Sequence, residues 1–167
     1  MRLVPRAWKK SNGWVPGVSL AAAAFLLAGL PAAVAAPTPQ VRGQGSGVYL
    51  HPPFTGDRVD IALDAQGGGG RFEVTHVDKF GKVFDHLLGV VTCVSVKGTS
   101  AFTSGTITGA QAPELAGDLV GKSLAITIVD DGGGDLVGLS FPLDHMSPCS
   151  PWPLNMVIDR GSYTISP

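Results

Sequence analysis

The stretch "VVTCVSVKGTSAFTSGTIT", residues 90–108, decides the fold class, because it has the pattern of a β-hairpin. β-Branched residues are frequent on both sides of Gly98-Thr99, and a glycine there suits a two-residue turn. Small residues would then face one another across the hairpin and leave room for a crossing segment. With that turn, the predicted cross-strand pairs are Val96 with Ala101 and Thr92 with Gly105.

The rest of the chain continues in the same way. In "VDIALDA", residues 59–65, every second residue is apolar, which is the period of a half-buried strand. "RFEVTHV", residues 71–77, follows with Phe72, Val74 and His76 on one face. Turn signals rich in Gly, Asp and Pro recur roughly every eight to twelve residues. About seven to nine short strands predict an all-β fold, either an antiparallel β-sandwich or a small barrel.

The N-terminus has the pattern of a secretory signal peptide. Basic residues without an acid precede the apolar run "VSLAAAAFLLAGLPAAVAA", and Ala33 and Ala35 are the small residues that a signal peptidase recognises. We therefore predict a signal peptide over residues 1–35, a flexible leader over residues 36–47 and an all-β domain over residues 48–167. A retained membrane anchor is the alternative, since the apolar run approaches the length of a membrane span.

Charge limits the partners of the exported protein. Removal of residues 1–35 takes away four of the 12 Lys and Arg residues and none of the 13 Asp and Glu residues, which leaves a formal charge of −5. An acidic domain is unsuited to nucleic acid or to an anionic membrane. We expect a secreted, extracellular bacterial protein that is monomeric and needs no cofactor. Its partner, outside the cell or in the cell wall, is unknown.

The chain has two cysteines, Cys93 in the hairpin and Cys149 in "SPCSPWP". In an oxidising compartment, two thiols of one small domain usually pair. Pro148 and Pro151 lack backbone N–H groups, so the segment around Cys149 cannot join a strand ladder. We predict a structural disulfide that clips this segment onto the sheet. A free reactive pair and a metal site are the alternatives.

These features resemble a family of secreted bacterial β-domains, related to the domains found after choice-of-anchor domains. The family pattern consists of glycines, turns and a cysteine pair, so the resemblance implies a fold and carries no activity. The Pro-rich "SPCSPWPLNM" departs from that pattern. The matching stretches are "GGGGRFEV", "GVVTCVSVKGTSAFTSGTI", "LAITIVDDGGGDLVGLSF", Cys149 and "GSYTI".

One loop carries a possible calcium site. In "DDGGGD", Asp130, Asp131 and Asp135 surround three glycines. Calcium needs several oxygen ligands on a loop that can curl around it. The spacing does not match an EF-hand, and no Glu closes the loop. Because Asp and Gly between two alternating segments are also what a hairpin turn requires, a plain turn is the other interpretation.

No motif predicts an enzyme. His86 and His145 each follow an aspartate, but neighbours on a strand point to opposite faces, so neither pair is a catalytic dyad by spacing. No G-x-S-x-G motif occurs in the chain. Paired carboxylates for glycoside hydrolysis stay open, because such partners can be distant in sequence.

Trp152, between two prolines, is the candidate contact for a ligand, and packing on the sheet edge is its alternative role. We expect a non-catalytic domain with a structural or interaction role outside the cell. A ligand-binding module for glycan or calcium is the second hypothesis, and a secreted hydrolase is the third. The first predicts no catalytic cluster, the second a concave or aromatic face, and the third convergent His or carboxylate groups in a pocket.

Overall fold

Eight antiparallel strands form the fold, and each strand pairs with the next one along the chain. The last strand pairs with the first, so the sheet closes into a barrel. The predicted all-β fold is confirmed, and of the two predicted architectures the chain adopts the barrel. The computed structural model describes residues 36–112 and 118–167. The strands are β1 (Gln40–Tyr49), β2 (Arg58–Gln66), β3 (Gly69–Val77), β4 (Val83–Lys97), β5 (Ser100–Gln111), β6 (Ser123–Asp130), β7 (Asp135–Leu139) and β8 (Met156–Ser166).

Alternate residues of each strand point into the barrel and fill it, as expected for eight strands. In β2, Val59, Ile61 and Leu63 are 0, 1 and 2% exposed, which confirms the period of two predicted for this strand. The interior is therefore a packed core of apolar side chains. Other wholly buried side chains of this core are Val41, Val74, Ile107, Leu124, Ile126, Ile128, Val137 and Met156.

The predicted flexible leader over residues 36–47 is wrong from Gln40 onwards, where β1 begins. The inward positions between Val41 and Tyr49 of this strand are all glycines, so apolar side chains mark only its two ends in the sequence. Side chains of β8 fill the space instead. A Cβ atom at Gly45 would lie 2.9 Å from Ile158 Cγ2 and 3.0 Å from Tyr163 Cε2. The glycines thus allow β8 to supply the core atoms beneath β1.

The hairpin of β4 and β5 turns where predicted, and Val96 lies opposite Ala101. The predicted pair of Thr92 and Gly105 is wrong, because β4 has a bulge at Thr92 and Gly105 lies opposite Val91. A bulge places two residues of one strand against one of its neighbour. The register is therefore as predicted near the turn and shifted by one residue beyond the bulge.

The bulge also changes which side chains of β4 face the interior. Val91 and Val94 are both buried in the core. Cys93 faces outwards and lies opposite Ser104 of β5. Strict alternation along β4 would place Cys93 on the same face as Val91, but the extra residue at Thr92 inverts the alternation between them.

The segment between β7 and β8, residues 140–155, crosses the outside of the barrel, and we call it the strap. The predicted disulfide is confirmed: Cys149 of the strap is bonded to Cys93 of β4, and their Cα atoms lie 5.5 Å apart. The backbone N–H of Cys149 also donates to Ser104 Oγ at 3.1 Å. The bond clips the Pro-rich strap onto the sheet, as the prolines predicted.

The strap covers the outer face of β6 and β7. The backbone N–H of Trp152 donates to the buried Thr127 Oγ1 at 2.7 Å. A Cβ atom at Gly138 would lie 2.5 Å from the carbonyl oxygen of Trp152. The outer face at these two strands is therefore an interface within the chain, and a glycine is needed where the strap approaches closest.

The predicted signal peptide, residues 1–35, lies outside the described residues. Among the described residues, no helix combines the length and the apolar composition that crossing a bilayer requires.

Candidate ligand site at one mouth of the barrel

A cavity of about 230 Å³ lies at the end of the barrel where β1, β3 and β7 end and β4 and β6 begin. Because the strands are antiparallel and adjacent, their ends bring distant parts of the sequence to the same rim. The wall combines aromatic rings with a few polar groups. Its aromatic residues are Tyr49, Phe54, Phe84 and Phe141, and its polar residues include His76, Asp85, Lys122 and Ser140.

Phe54, in the connection between β1 and β2, is the centre of the aromatic wall. Its ring centroid lies 5.6 Å from those of Tyr49 and Phe84, and 5.3 Å from that of Phe141. It also meets the His76 ring almost at right angles, with centroids 4.9 Å apart. Tilted and perpendicular contacts at these distances are favourable for aromatic pairs. The connection is therefore held against the barrel mouth by ring contacts.

His76 is buried between two carboxylates. The ring is at the end of β3, directly opposite Asp85 of β4, and Asp57 immediately precedes β2. His76 Nε2 lies 2.9 Å from Asp57 Oδ2, and His76 Nδ1 lies 3.8 Å from Asp85 Oδ2. The other oxygen of Asp57 accepts a hydrogen bond from the backbone N–H of Lys79 at 3.0 Å. Three neighbouring strands thus meet in one ionic cluster.

The surroundings of His76 favour its charged form. Burial of the ring lowers the pKa of His76, but the carboxylates of Asp85 and Asp57 outweigh this effect, and the pKa is raised above its ordinary value. Burial, followed by the same two carboxylates, also raises the pKa of Tyr49. The cluster is therefore a histidine whose charged form is favoured by two carboxylates, beside a neutral phenol.

We expect the domain to be less stable at about pH 8.5 than at about pH 6, because the raised pKa of His76 links folding to protonation. This stabilisation is complete below the unfolded pKa of about 6.5 and is lost as the pH rises through the folded pKa. The measurement is the urea midpoint across this range for the wild type and for His76→Gln.

The control for this pH series is His145→Gln, which replaces an exposed histidine. It should keep the wild-type decline with pH, whereas His76→Gln should lose it. A wild-type midpoint that declines no more steeply than that of His76→Gln would contradict the charged cluster.

Asp85 has a buried oxygen without a donor. The residue is 7% exposed, and no hydrogen bond from the described residues reaches its Oδ1. Buried carboxylate oxygens are normally hydrogen-bonded, since leaving one unpaired costs about 1–3 kcal/mol or more. Asp85 also lines the cavity. A ligand with an N–H or O–H group in the cavity would supply the donor that this carboxylate lacks.

The other polar groups of the wall have partners. Ser140 Oγ accepts a hydrogen bond from the backbone N–H of Ala125 at 2.8 Å. Lys122 Nζ lies 3.4 Å from Asp144 Oδ1 on the strap, where the carboxylate is largely exposed. Asp85 therefore differs from Ser140 and Lys122 in having a buried polar atom without a partner among the described residues.

The residues considered for calcium lie at the opposite end of the barrel. Asp130 and Asp135 pair across β6 and β7, and Asp135 Oδ2 accepts the backbone N–H of Tyr163 at 2.8 Å. Asp130 accepts a hydrogen bond from the backbone N–H of Gly132, and Asp131 accepts those of Gly133 and Gly134. Among the described residues, no group of three metal-ligating side chains converges. The hairpin turn uses the carboxylates of Asp130 and Asp131, and β8 uses that of Asp135, so this arrangement does not favour a calcium site.

The other sequence candidates also lie outside the cavity. Trp152 is half-buried on the strap and is not part of the cavity wall. His86 faces outwards and lies 2.9 Å from Glu73 Oε1, whereas Asp85 faces the interior. Asp85 and His86 therefore point to opposite faces of β4, as strand alternation predicted.

The cluster of Asp57, His76 and Asp85 was not predicted from the sequence, although one signal was present. His76 is in phase with Phe72 and Val74, which indicates an ionisable side chain on the buried face. Asp85 is likewise in phase with the buried Leu87. A buried histidine or carboxylate needs a partner, so these two positions could have been paired had the register of β3 and β4 been known.

Comparisons with protein-family models, with curated proteins and with solved structures find no match to this chain. Its function is therefore inferred from the chemistry of the cavity.

Proposed function

We propose that the protein is a non-catalytic binding domain that acts outside the cell and holds a small ligand in the cavity at the barrel mouth. The observation that carries this proposal is the concave aromatic wall around the buried carboxylate of Asp85. Ligand sites are typically apolar clefts with a few polar groups that fix orientation. Of our three hypotheses, the ligand-binding module is the one that predicts such a face.

The size of the cavity limits the ligand. About 230 Å³ is below the range of roughly 300–1,000 Å³ found for drug-sized ligands. The rings also pack on one another at tilted and perpendicular angles and do not form a flat platform of the kind on which a sugar stacks. This favours a small molecule, or one functional group of a larger molecule, over an extended glycan.

A hydrolase would also need converging histidine or carboxylate groups in its pocket, but the geometry of this cluster favours binding over catalysis. A general base needs a free nitrogen near the reacting proton and a pKa close to the working pH. Both ring nitrogens of His76 face carboxylates, and these carboxylates favour the protonated ring. We infer that His76 organises the mouth and takes no proton from a substrate.

The location outside the cell is proposed from the disulfide and the N-terminal sequence pattern. A disulfide between Cys93 and Cys149 is consistent with an oxidising compartment. The signal peptide expected over residues 1–35 and the resemblance to secreted domains related to those after choice-of-anchor domains are proposals that agree with it. We also propose that the protein is monomeric and that its partner is extracellular or part of the cell wall.

The experiment that tests the site is an NMR screen of the exported protein with a panel of small cations, anions and neutral molecules. We expect binders to shift signals of Phe54, His76 and Phe141 and to leave those of the Asp130–Asp135 turn unchanged. Phe141→Ala should weaken binding, whereas Phe80→Ala is the matched control, because Phe80 is 84% exposed and lies outside the cavity. Absence of any binder at the mouth, or binding that Phe141→Ala leaves unchanged, would contradict the proposal.

A further inference from the structure

We propose that the cavity binds a compact alkylammonium group, the protonated end of a primary amine. Its N–H groups would donate to Asp85, and its methylene groups would lie against the aromatic wall. This inference rests on the proposed function, because it names the ligand class for the same cavity.

The first argument is charge. Two buried carboxylates, Asp57 and Asp85, face one histidine ring, that of His76, which carries at most one positive charge. His76 Nε2 lies 2.9 Å from Asp57 and His76 Nδ1 lies 3.8 Å from Asp85, so the ring is at hydrogen-bond distance from Asp57 alone. In a site poorly exposed to water, an incompletely compensated negative charge attracts a cation more strongly than it would at the surface. Counted over the part of the chain that the structure describes, the cluster is thus at least one positive charge short of balance.

The second argument is hydrogen bonding. Asp85 Oδ1 is buried and accepts no hydrogen bond from the described residues. A primary ammonium has three N–H donors, and its bonds to a carboxylate are about twice as strong as bonds between neutral groups. A quaternary ammonium has the same charge but no donor, and an alcohol has a donor but no charge. Asp85 therefore favours the primary ammonium over both.

The third argument is the wall. Aromatic rings attract cations through their electron-rich faces, and they also provide apolar surface for methylene groups. Tyr49, Phe54, Phe84 and Phe141 all line the cavity. The remaining cation of the wall, Lys122, lies 3.4 Å from Asp144, so its charge is partly balanced at the rim. The volume of about 230 Å³ restricts the ligand to a short chain.

The test is an NMR titration of the exported protein at about pH 7 with n-butylammonium, n-butanol and tetramethylammonium. We expect butylammonium to bind roughly ten-fold or more tightly than butanol, and more tightly than tetramethylammonium. Asp85→Asn should weaken butylammonium by roughly ten-fold to a hundred-fold and leave butanol nearly unchanged. Asp64→Asn is the matched control, because Asp64 is an exposed carboxylate paired with Arg42 on the outer face.

A second variant, at a more exposed position, tests the same inference if Asp85→Asn does not fold. Phe141→Leu removes an aromatic face at a residue that is 48% exposed and retains apolar volume. It should weaken butylammonium more than butanol. Equal affinities for butylammonium and butanol, with no effect of Asp85→Asn, would overturn the ammonium inference and leave the proposed binding function standing. If no compound of the wider panel binds at the mouth, the proposed function fails as well.

Discussion

Replacing both cysteines, in Cys93→Ser/Cys149→Ser, should lower the free energy of unfolding by about 4 kcal/mol. The bond closes a loop with a sequence separation of 56 residues. In the chain-entropy model, closing such a loop lowers the conformational entropy of the unfolded chain and so destabilises the unfolded state by about this amount. Urea unfolding of the oxidised wild type and of the double variant measures the difference. Ser150→Ala, also on the strap, is the matched control and should stay within about 0.5 kcal/mol of the wild type. A loss below about 1 kcal/mol would contradict the chain-entropy account.

The same variant should also loosen the strap locally. Cys149 has a φ of 51°, in the left-handed region that costs a non-glycine residue roughly 1 kcal/mol or more, and the bond helps to hold it there. We expect hydrogen exchange to accelerate at the amides of Cys149 and Trp152, which bond to side chains of β5 and β6. Amides in the ladder between those two strands should keep their protection. Unchanged exchange at Trp152 would mean that the strap is held without the bond.

The strap could be predicted from sequence because its signal is local. Prolines around Cys149 lack the N–H groups that a ladder needs, so this segment had to lie outside the sheet. A thiol in such a segment then had one obvious partner, Cys93, in an oxidising compartment. Local backbone chemistry and a count of two cysteines were sufficient.

Barrel closure could not be predicted, because its signal is distributed over the two ends of the chain. The strand that closes the sheet, β1, has inward glycines whose space is filled by Ile158 and Tyr163 of β8. Neither segment has the complete apolar pattern alone. The periodicity of the other strands is the same in a sandwich and in a barrel, so only the pairing of first and last strands separates the two.

The candidate site could not be predicted from the sequence for a related reason. His76 and its partners Asp57 and Asp85 belong to three chain segments, and the phase of His76 predicts burial but not which carboxylates lie beside it. The bulge at Thr92 shows the same limit at shorter range, since no residue in "VVTCVSV" marks the extra position. Alternation predicts the face of a residue only as far as the next irregularity in the ladder.

The largest single-residue effect should come from Phe72→Ala, with a loss of about 3–5 kcal/mol of unfolding free energy. Phe72 is 4% exposed, and its ring occupies the interior beside Gly89 and Gly105 on the next two strands. A Cβ atom at Gly89 would overlap the ring, and one at Gly105 would lie 2.9 Å from its Cε1 atom. The two glycines thus provide the space for one large side chain, and removing the ring leaves a cavity between three strands.

This geometry makes a prediction that simple loss of apolar area does not. Gly89→Ala should cost about 1–3 kcal/mol in the wild type through overpacking against Phe72. In the Phe72→Ala background the new methyl group enters the vacated space, so Gly89→Ala should become neutral or stabilising. Urea unfolding of the two single variants and the double variant gives the coupling, with Phe80→Ala as an exposed control expected within about 0.5 kcal/mol of the wild type. Additive effects would show that the ring and the glycine do not share one space, and that another constraint fixes Gly89 in β4.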